Sequence, residues 1–146
     1  MDEIIEEDVK EIKKNLLEFE DKIRDKTFLV TGGAGFLGSW FCDVIDIFDG
    51  RIICVDNLSS GSKYNIDHLI GKSNFKLIKE DVCDLSIDED IDYIVHMACI
   101  ASPPLYQKHP LKTLDTNVLG TKNILEIARK KDVEGFLFTS TSEVYG

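Results

Sequence analysis

Apolar residues along this chain follow two rhythms. Ile5, Val9, Ile12, Leu16, Phe19 and Ile23 step by four and three in alternation, the spacing of one helix face. This predicts a charged amphipathic helix over 2–25 with an a/d seam of nearly three heptads. The seam suits docking on the helix's own domain or pairing with another subunit. From residue 26 onward the rhythm changes to short apolar runs, each ended by polar residues or glycine. Five of them predict strands: Thr27–Thr31, Arg51–Asp56, Asn74–Glu80, Asp92–Ala98 and Gly135–Ser140. Between the first two, Leu37, Phe41, Val44, Ile45 and Phe48 mark a helix face that Asp49-Gly50 closes. A short helix is expected over Ile66–Ile70. Residues 100–110 hold all three prolines and predict a loop. Pro110 then opens a long helix whose buried stripe should be Leu114, Val118, Thr121, Leu125 and Ala128, with Asn117 beside it.

Strands alternating with helices give an α/β chain with a parallel sheet. The expected architecture is a Rossmann-type doubly wound sheet in the order 3-2-1-4-5, with an extra amphipathic helix in front. The boundaries are 1–25 for that helix and 26–146 for the sheet domain. With 146 residues, 43% hydrophobic and 30% charged, the chain is long enough for one real core. Its net charge of −10 argues against binding nucleic acid or an anionic membrane. Cys42, Cys54, Cys83 and Cys99 have no C-x-x-C spacing and read as reduced, buried thiols of a cytoplasmic protein. No apolar run approaches the length of a membrane span.

The candidate chemistry starts at the end of the first strand. Gly32, Gly35 and Gly38 recur at three-residue intervals between strand and helix. In a dinucleotide-binding turn the first permits the tight turn, the second lets backbone approach a pyrophosphate, and the third lets helix pack on strand. The N–H groups at the helix start face the phosphates. Asp56 ends the second strand about 20 residues on, where an acid holds the adenosine ribose hydroxyls and repels a 2′-phosphate. That favours NAD over NADP. The polar loop Asn57–Ser62 follows. Asp81-Val82 after the third strand would lie beside the adenine. His96 reads as a satisfied histidine at a strand end, and no metal-ligand set is spaced around it. Thr141, Ser142 and Glu143 put hydroxyls and a carboxylate at the end of the fifth strand, groups that suit redox chemistry at an alcohol carbon.

Thr31–Gly38, Asp56-Asn57, Asp81-Val82, His96–Ala98, Asn117–Thr121 and Ser140–Gly146 together resemble the extended short-chain dehydrogenase/reductases that modify nucleotide sugars. The match covers roughly residues 26–146. Within that family, Ala101–Tyr106 and Thr141–Glu143 are most similar to the UDP-glucuronate decarboxylases (UDP-xylose synthases). The dTDP-glucose 4,6-dehydratases and nucleotide-sugar 4-epimerases are the next relatives. The resemblance implies oxidation at C4 of UDP-glucuronate by NAD, loss of CO₂ and re-reduction to UDP-xylose. It assigns Gly35, Phe36, Leu37, Asp56, Asn57, Ser60, Gly61, Asp81, Val82, Met97 and Thr116 to the cofactor, and Asn123, Arg129 and Lys130 to the nucleotide-sugar pocket. Thr141 would meet the sugar O4 region, with Ser142 and Glu143 handling substrate and protons. The family's Tyr-x-x-x-Lys pair and substrate domain would follow this chain's last residue, so the chain is expected either to form a homodimer or to pair with a second chain that supplies the missing half; the alternative is a non-catalytic dinucleotide-binding or interaction module. Asp115 stands where these decarboxylases often carry a lysine suited to the substrate carboxylate.

Overall fold

The computed structural model describes residues 3–145. Gly146, at the end of the last motif, lies outside them, as do the side chains of Ile5, Ser142 and Glu143. Five parallel strands, β1 (Thr27–Thr31), β2 (Arg51–Val55), β3 (Phe75–Ile78), β4 (Tyr93–His96) and β5 (Gly135–Phe138), form one sheet in the order β3-β2-β1-β4-β5. Helix α3 (Phe36–Ile47) connects β1 to β2, and α6 (Thr121–Lys131) leads into β5.

Alternation along each strand sorts the core onto two faces. Leu29, Ile53, Val55 and Ile94 point to the side covered by Ile124 and Ile127 of α6. Val30, Ile52, Cys54 and Val95 point to the side covered by Cys42 and Ile45 of α3. Every one of these is at most 8% exposed, as expected of a parallel sheet covered on both faces.

The N-terminal segment is not one helix. It forms α1 (Glu3–Asn15), a 3₁₀ turn over Leu17–Phe19, and α2 (Glu20–Ile23). A straight helix over 2–25 would run roughly 36 Å, against roughly 18 Å for α3. The break lets both ends reach the same neighbour. Val9 is buried, Lys13 Nζ donates to the Ile47 carbonyl at 2.7 Å and lies over the Phe48 ring, and Ile23 packs into the α3-side core. The rest of the seam is less buried, with Leu16 half-buried and Phe19 exposed.

The covering helices match expectation in part. On α3 the buried residues are Gly38, Ser39, Cys42, Asp43 and Ile45, and Phe48 just after it is buried too, while Leu37 and Phe41 of the expected face are exposed. Small residues face the sheet at Gly38 and Cys42, where the helix lies close to it. The long helix after Pro110 is α5 (Pro110–Asp115), a π-helical turn over Thr116–Gly120, and α6. Its buried positions are Thr116, Gly120, Ile124 and Ile127. Leu114, Val118 and Leu125 face outward. The expected proline loop contains α4 (Pro103–Lys108), because Pro103 and Pro104 occupy first-turn positions that have no intrahelical N–H to lose.

A Cβ at Gly38 would overlap the Gly32 carbonyl and come within 2.7 Å of the Gly33 Cα, both backbone atoms. Gly38→Ala is expected to cost about 2 kcal/mol, in the range of overpacked cores. Thermal unfolding followed by circular dichroism should show the midpoint lowered by roughly 4–8 °C.

Candidate functional site

The carboxyl ends of the strands meet at one crevice. Gly32 N–H donates to the Val55 carbonyl at 2.8 Å and Met97 N–H to the Thr31 carbonyl at 3.1 Å, so the turn after β1 sits between the ends of β2 and β4. Gly32 has φ +70°, and a Cβ there would lie 2.9 Å from the Met97 carbonyl and the Ala98 nitrogen. Only glycine lets these backbones approach so closely. Gly35 caps α3, and Phe36 and Leu37 open it, where a helix leaves N–H groups without intrahelical partners.

Asp56 follows β2 and is 6% exposed. Its carboxylate accepts the Ala34 N–H at 3.0 Å and the Leu58 N–H at 2.8 Å. Those bonds tie it to the glycine turn and use two of its four acceptor positions. Gly61 packs against the same carboxylate, where a Cβ would come within 2.8 Å. Ala34 O in turn accepts from Ser62 N–H and Asn65 Nδ2, each at 2.9 Å. Gly32, Asp56, Asn57, Ser60, Val82 and Thr116 line one cavity of about 40 Å³. Glycine backbone, a helix N-terminus and a buried acid within one turn of each other fit a dinucleotide: N–H donors for the pyrophosphate and free carboxylate lone pairs for ribose hydroxyls.

Beneath the other side of the crevice lies a buried polar chain. Thr31 Oγ1 accepts the Met97 and Ala98 N–H groups, each at 3.2 Å, so its own proton goes to His96 Nδ1 at 2.6 Å. The ring must then carry its proton on Nε2, which donates to Thr121 Oγ1 at 3.0 Å. His96 is 1% exposed and stacks on Phe138 with centroids 5.6 Å apart. Burial lowers its pKa from 6.5 to about 4. Above it a wider cavity of about 690 Å³ is lined by Met97, Cys99, Tyr106, Asn117 and Thr141, among others.

The family model for the NAD-dependent epimerase/dehydratase family matches residues 28–146. The chain belongs to that family. It is 45% identical over 121 residues to UDP-glucuronic acid decarboxylase 1 of Danio rerio, covering 83% of this chain and 28% of the relative. It is 46% identical over 118 residues to UDP-glucuronic acid decarboxylase 1 of Arabidopsis thaliana, covering 81% and 27%. Among solved structures it is similar to the UDP-N-acetylglucosamine 4-epimerase of Methanobrevibacter ruminantium, with a TM-score of 0.76 and 35% identity over 84% of this chain and 40% of that one. The UDP-Glc/GlcNAc 4-epimerase of Campylobacter jejuni gives 0.73 and 34%, over 83% and 39%. The chain thus spans little more than a quarter of the length of the decarboxylases it matches.

In this family member six of the thirteen sequence-predicted cofactor residues line the smaller cavity, and Met97 lines the wider one. Asp81 is set back from both cavities. Its carboxylate accepts from Asn57 Nδ2 at 2.8 Å, Cys83 N–H at 3.0 Å and Lys112 Nζ at 2.7 Å. Burial alone would raise its pKa, but these donors hold it well below the usual carboxylate range. Three residues expected near the sugar pocket line none of these cavities. Asn123 Nδ2 is bonded to the Val82 and Leu85 carbonyls, both at 2.9 Å, and pins α6 to the chain after β3. Arg129, paired with Glu126, and Lys130 sit in the last turn of α6. That helix runs antiparallel to the strands, so its last turn lies at their amino ends, away from the crevice. The thiols also divide. Cys42 and Cys54 are buried, Cys83 is half-buried, and Cys99 is exposed to the crevice. Burial raises the Cys99 pKa, against a lowering by its hydrogen bond with Asn117. Sequence reasoning missed Ile100, which lines the smaller cavity, and Lys112. Both lie in or just after the segment read as an unstructured proline loop. No helix among the described residues is long and apolar enough to cross a membrane.

His96 generates a pH prediction. In the unfolded chain it binds a proton below about 6.5, and in the folded chain only below about 4. Between those values the unfolded state holds more protons, so stability falls as pH falls. A difference of about 2.5 units corresponds to roughly 3 kcal/mol lost from pH 7 to pH 4. Urea unfolding across that range should show this loss, and His96→Asn should show a correspondingly shallower dependence.

Proposed function

We propose that this chain is the NAD-binding part of a nucleotide-sugar-modifying enzyme that decarboxylates UDP-glucuronate to UDP-xylose. Residues 26–146 form the cofactor domain, and 1–25 are an appended helical segment. The observation that carries the reading is the placement of Asp56, buried, bonded to the glycine turn and lining the same cavity as Asn57, Val82 and Thr116. The identity to UDP-glucuronic acid decarboxylases of a fish and a plant supplies the reaction.

When bound, the nicotinamide supplies reversible oxidation at a sugar alcohol carbon. The chain's own residues do the rest of what this half requires. The start of α3 receives the pyrophosphate. Asp56 accepts from the ribose hydroxyls and, as an anion, repels a 2′-phosphate. Met97 and Ala98 form the wall toward the wider cavity, held rigid from below by Thr31 and His96. At the far side of that cavity Thr141 would meet the sugar O4 region. Ser142 and Glu143 follow it in a 3₁₀ turn over Ser142–Tyr145, from which they would handle substrate and protons. The general base of the reaction would be a Tyr-x-x-x-Lys pair, which residues 1–146 do not contain. The four free thiols support a reducing compartment such as the cytoplasm. An epimerase or 4,6-dehydratase is the alternative reaction. It is favoured by Asp115, whose charge opposes the substrate carboxylate, and by the 4-epimerases among the similar structures.

Calorimetric titration should give saturable binding of NAD⁺ and none of NADP⁺. Asp56→Arg is expected to weaken NAD⁺ by at least about tenfold, since a charged hydrogen bond is worth ~1.5–3 kcal/mol. Unchanged affinity would place the ribose elsewhere. A second expectation concerns turnover: the isolated chain incubated with NAD⁺ and UDP-glucuronate should release no UDP-xylose, as read by chromatography.

A further inference from the structure

Between the small cavity that Asp56 lines and a neighbouring one of about 250 Å³ stands a chain of three polar side chains. Lys112, on α5, lines the second cavity. Its ammonium bonds Asp81 Oδ2 at 2.7 Å. The same oxygen accepts Asn57 Nδ2 at 2.8 Å, and Asn57 lines the first cavity. Asp81 Oδ1 is held by the Cys83 N–H. Asn57 Oδ1 accepts the Ser59 N–H at 2.9 Å, which shapes the loop whose Ser59 and Ser60 line both cavities.

The polarity of this chain is set at one end. An ionised carboxylate accepts and cannot donate, so only the NH₂ end of the Asn57 amide can face Asp81. The Asn57 oxygen is thereby directed to Ser59, and the second Nδ2 proton remains for a ligand in the slot. Lys112 is the cation that keeps Asp81 charged and fixes its plane. It comes from a helix that joins neither Asn57 nor Asp81 in sequence.

We propose that Lys112 is a positioning residue for the adenosine half of the cofactor, acting through Asp81 on the orientation of Asn57. This rests on the dinucleotide reading of the site. It explains why the carboxylate after β3 is set back from the cavity: its role is to orient an amide that does line it. The mechanism gives Lys112 an effect on ligands that carry adenosine, and that effect exists only while Asp81 is present.

The test is calorimetric titration of the full 146-residue chain with NAD⁺ and with ADP-ribose, in wild type, Lys112→Met, Lys112→Arg, Asp81→Asn and the Lys112→Met/Asp81→Asn double variant. Lys112→Met should weaken both ligands by about tenfold, because both carry adenosine. Lys112→Arg keeps the cation and should stay within about threefold of wild type. In the Asp81→Asn background, Lys112→Met should add less than about twofold, the coupling expected of residues acting as one unit. Lys112 is about half exposed, and thermal midpoints within a few degrees of wild type would confirm folded variants. Wild-type affinity in Lys112→Met, or the full tenfold loss in the double variant relative to Asp81→Asn, overturns the proposal. A folded wild type that binds neither ligand overturns the dinucleotide reading and this proposal with it. That result is distinguishable because it appears before any variant is made.

Discussion

The crevice depends on one backbone-to-backbone contact. The turn after β1 runs so close to the chain leaving β4 that no side chain fits between Gly32 and the Met97–Ala98 peptide. The contact fixes where β1 ends, and so where α3 begins and which way its N-terminus points. Because β1 is the central strand, bonded to β2 on one side and β4 on the other, the same contact sets both flanks. On the β2 side it brings Ala34 onto the Asp56 carboxylate. On the β4 side it sets Met97 and Ala98 over Thr31. Polar groups then tolerate burial there because each has a partner at hand, the condition under which burial is affordable at all.

Two polar chains hold the floor of the crevice, one buried and one nearer solvent, and they use opposite electrostatics. Thr31, His96 and Thr121 form a neutral chain, in which burial keeps the imidazole uncharged and the proton positions follow from which oxygen already accepts. Lys112, Asp81 and Asn57 form a charged chain, in which an ion pair fixes an amide. The neutral chain lies in the core, where an unpaired charge would cost most. The charged one lies nearer solvent, with Lys112 half exposed, where desolvation is partial and an ion pair holds its geometry at lower cost.

The fold was legible in the sequence because apolar runs, glycines and the terminal acid each mark a distinct event in a strand–turn–helix unit. All five strands, their order and the glycine turn follow from those marks. The helix faces were legible only in part. On α3, Ile45 and Phe48 of the expected face are buried, but Gly38 and Cys42 also lie against the sheet, where a search for large apolar residues picks Leu37 and Phe41, which face outward. After Pro110, the π turn over Thr116–Gly120 inserts an extra residue into the helical count. Leu114, Val118 and Leu125 of the expected stripe face outward, Ala128 packs against the core, and Thr116 lines the cofactor cavity. Of the candidate site, Asp56 and the glycines could be read from spacing alone. Lys112 could not, because its partner is 31 positions away and only the placement of α5 brings them together.

The geometry separates what the three proposed reactions would share from what would distinguish them. Decarboxylase, dehydratase and epimerase share the cofactor, and in this chain the cofactor side is rigid: Asp56 and Thr116 are buried, and Asn57 and Val82 are held by bonds or packing. A side so fully specified by requirements common to all three cannot tell them apart. The wider cavity is different. Asn117, Tyr106 and Thr141 line it with exposed side chains. Under the proposed function, selection among the three reactions would fall to the polar side chains around that cavity. The glycine turn, for all its sequence signal, bears only on the dinucleotide that all three reactions would share.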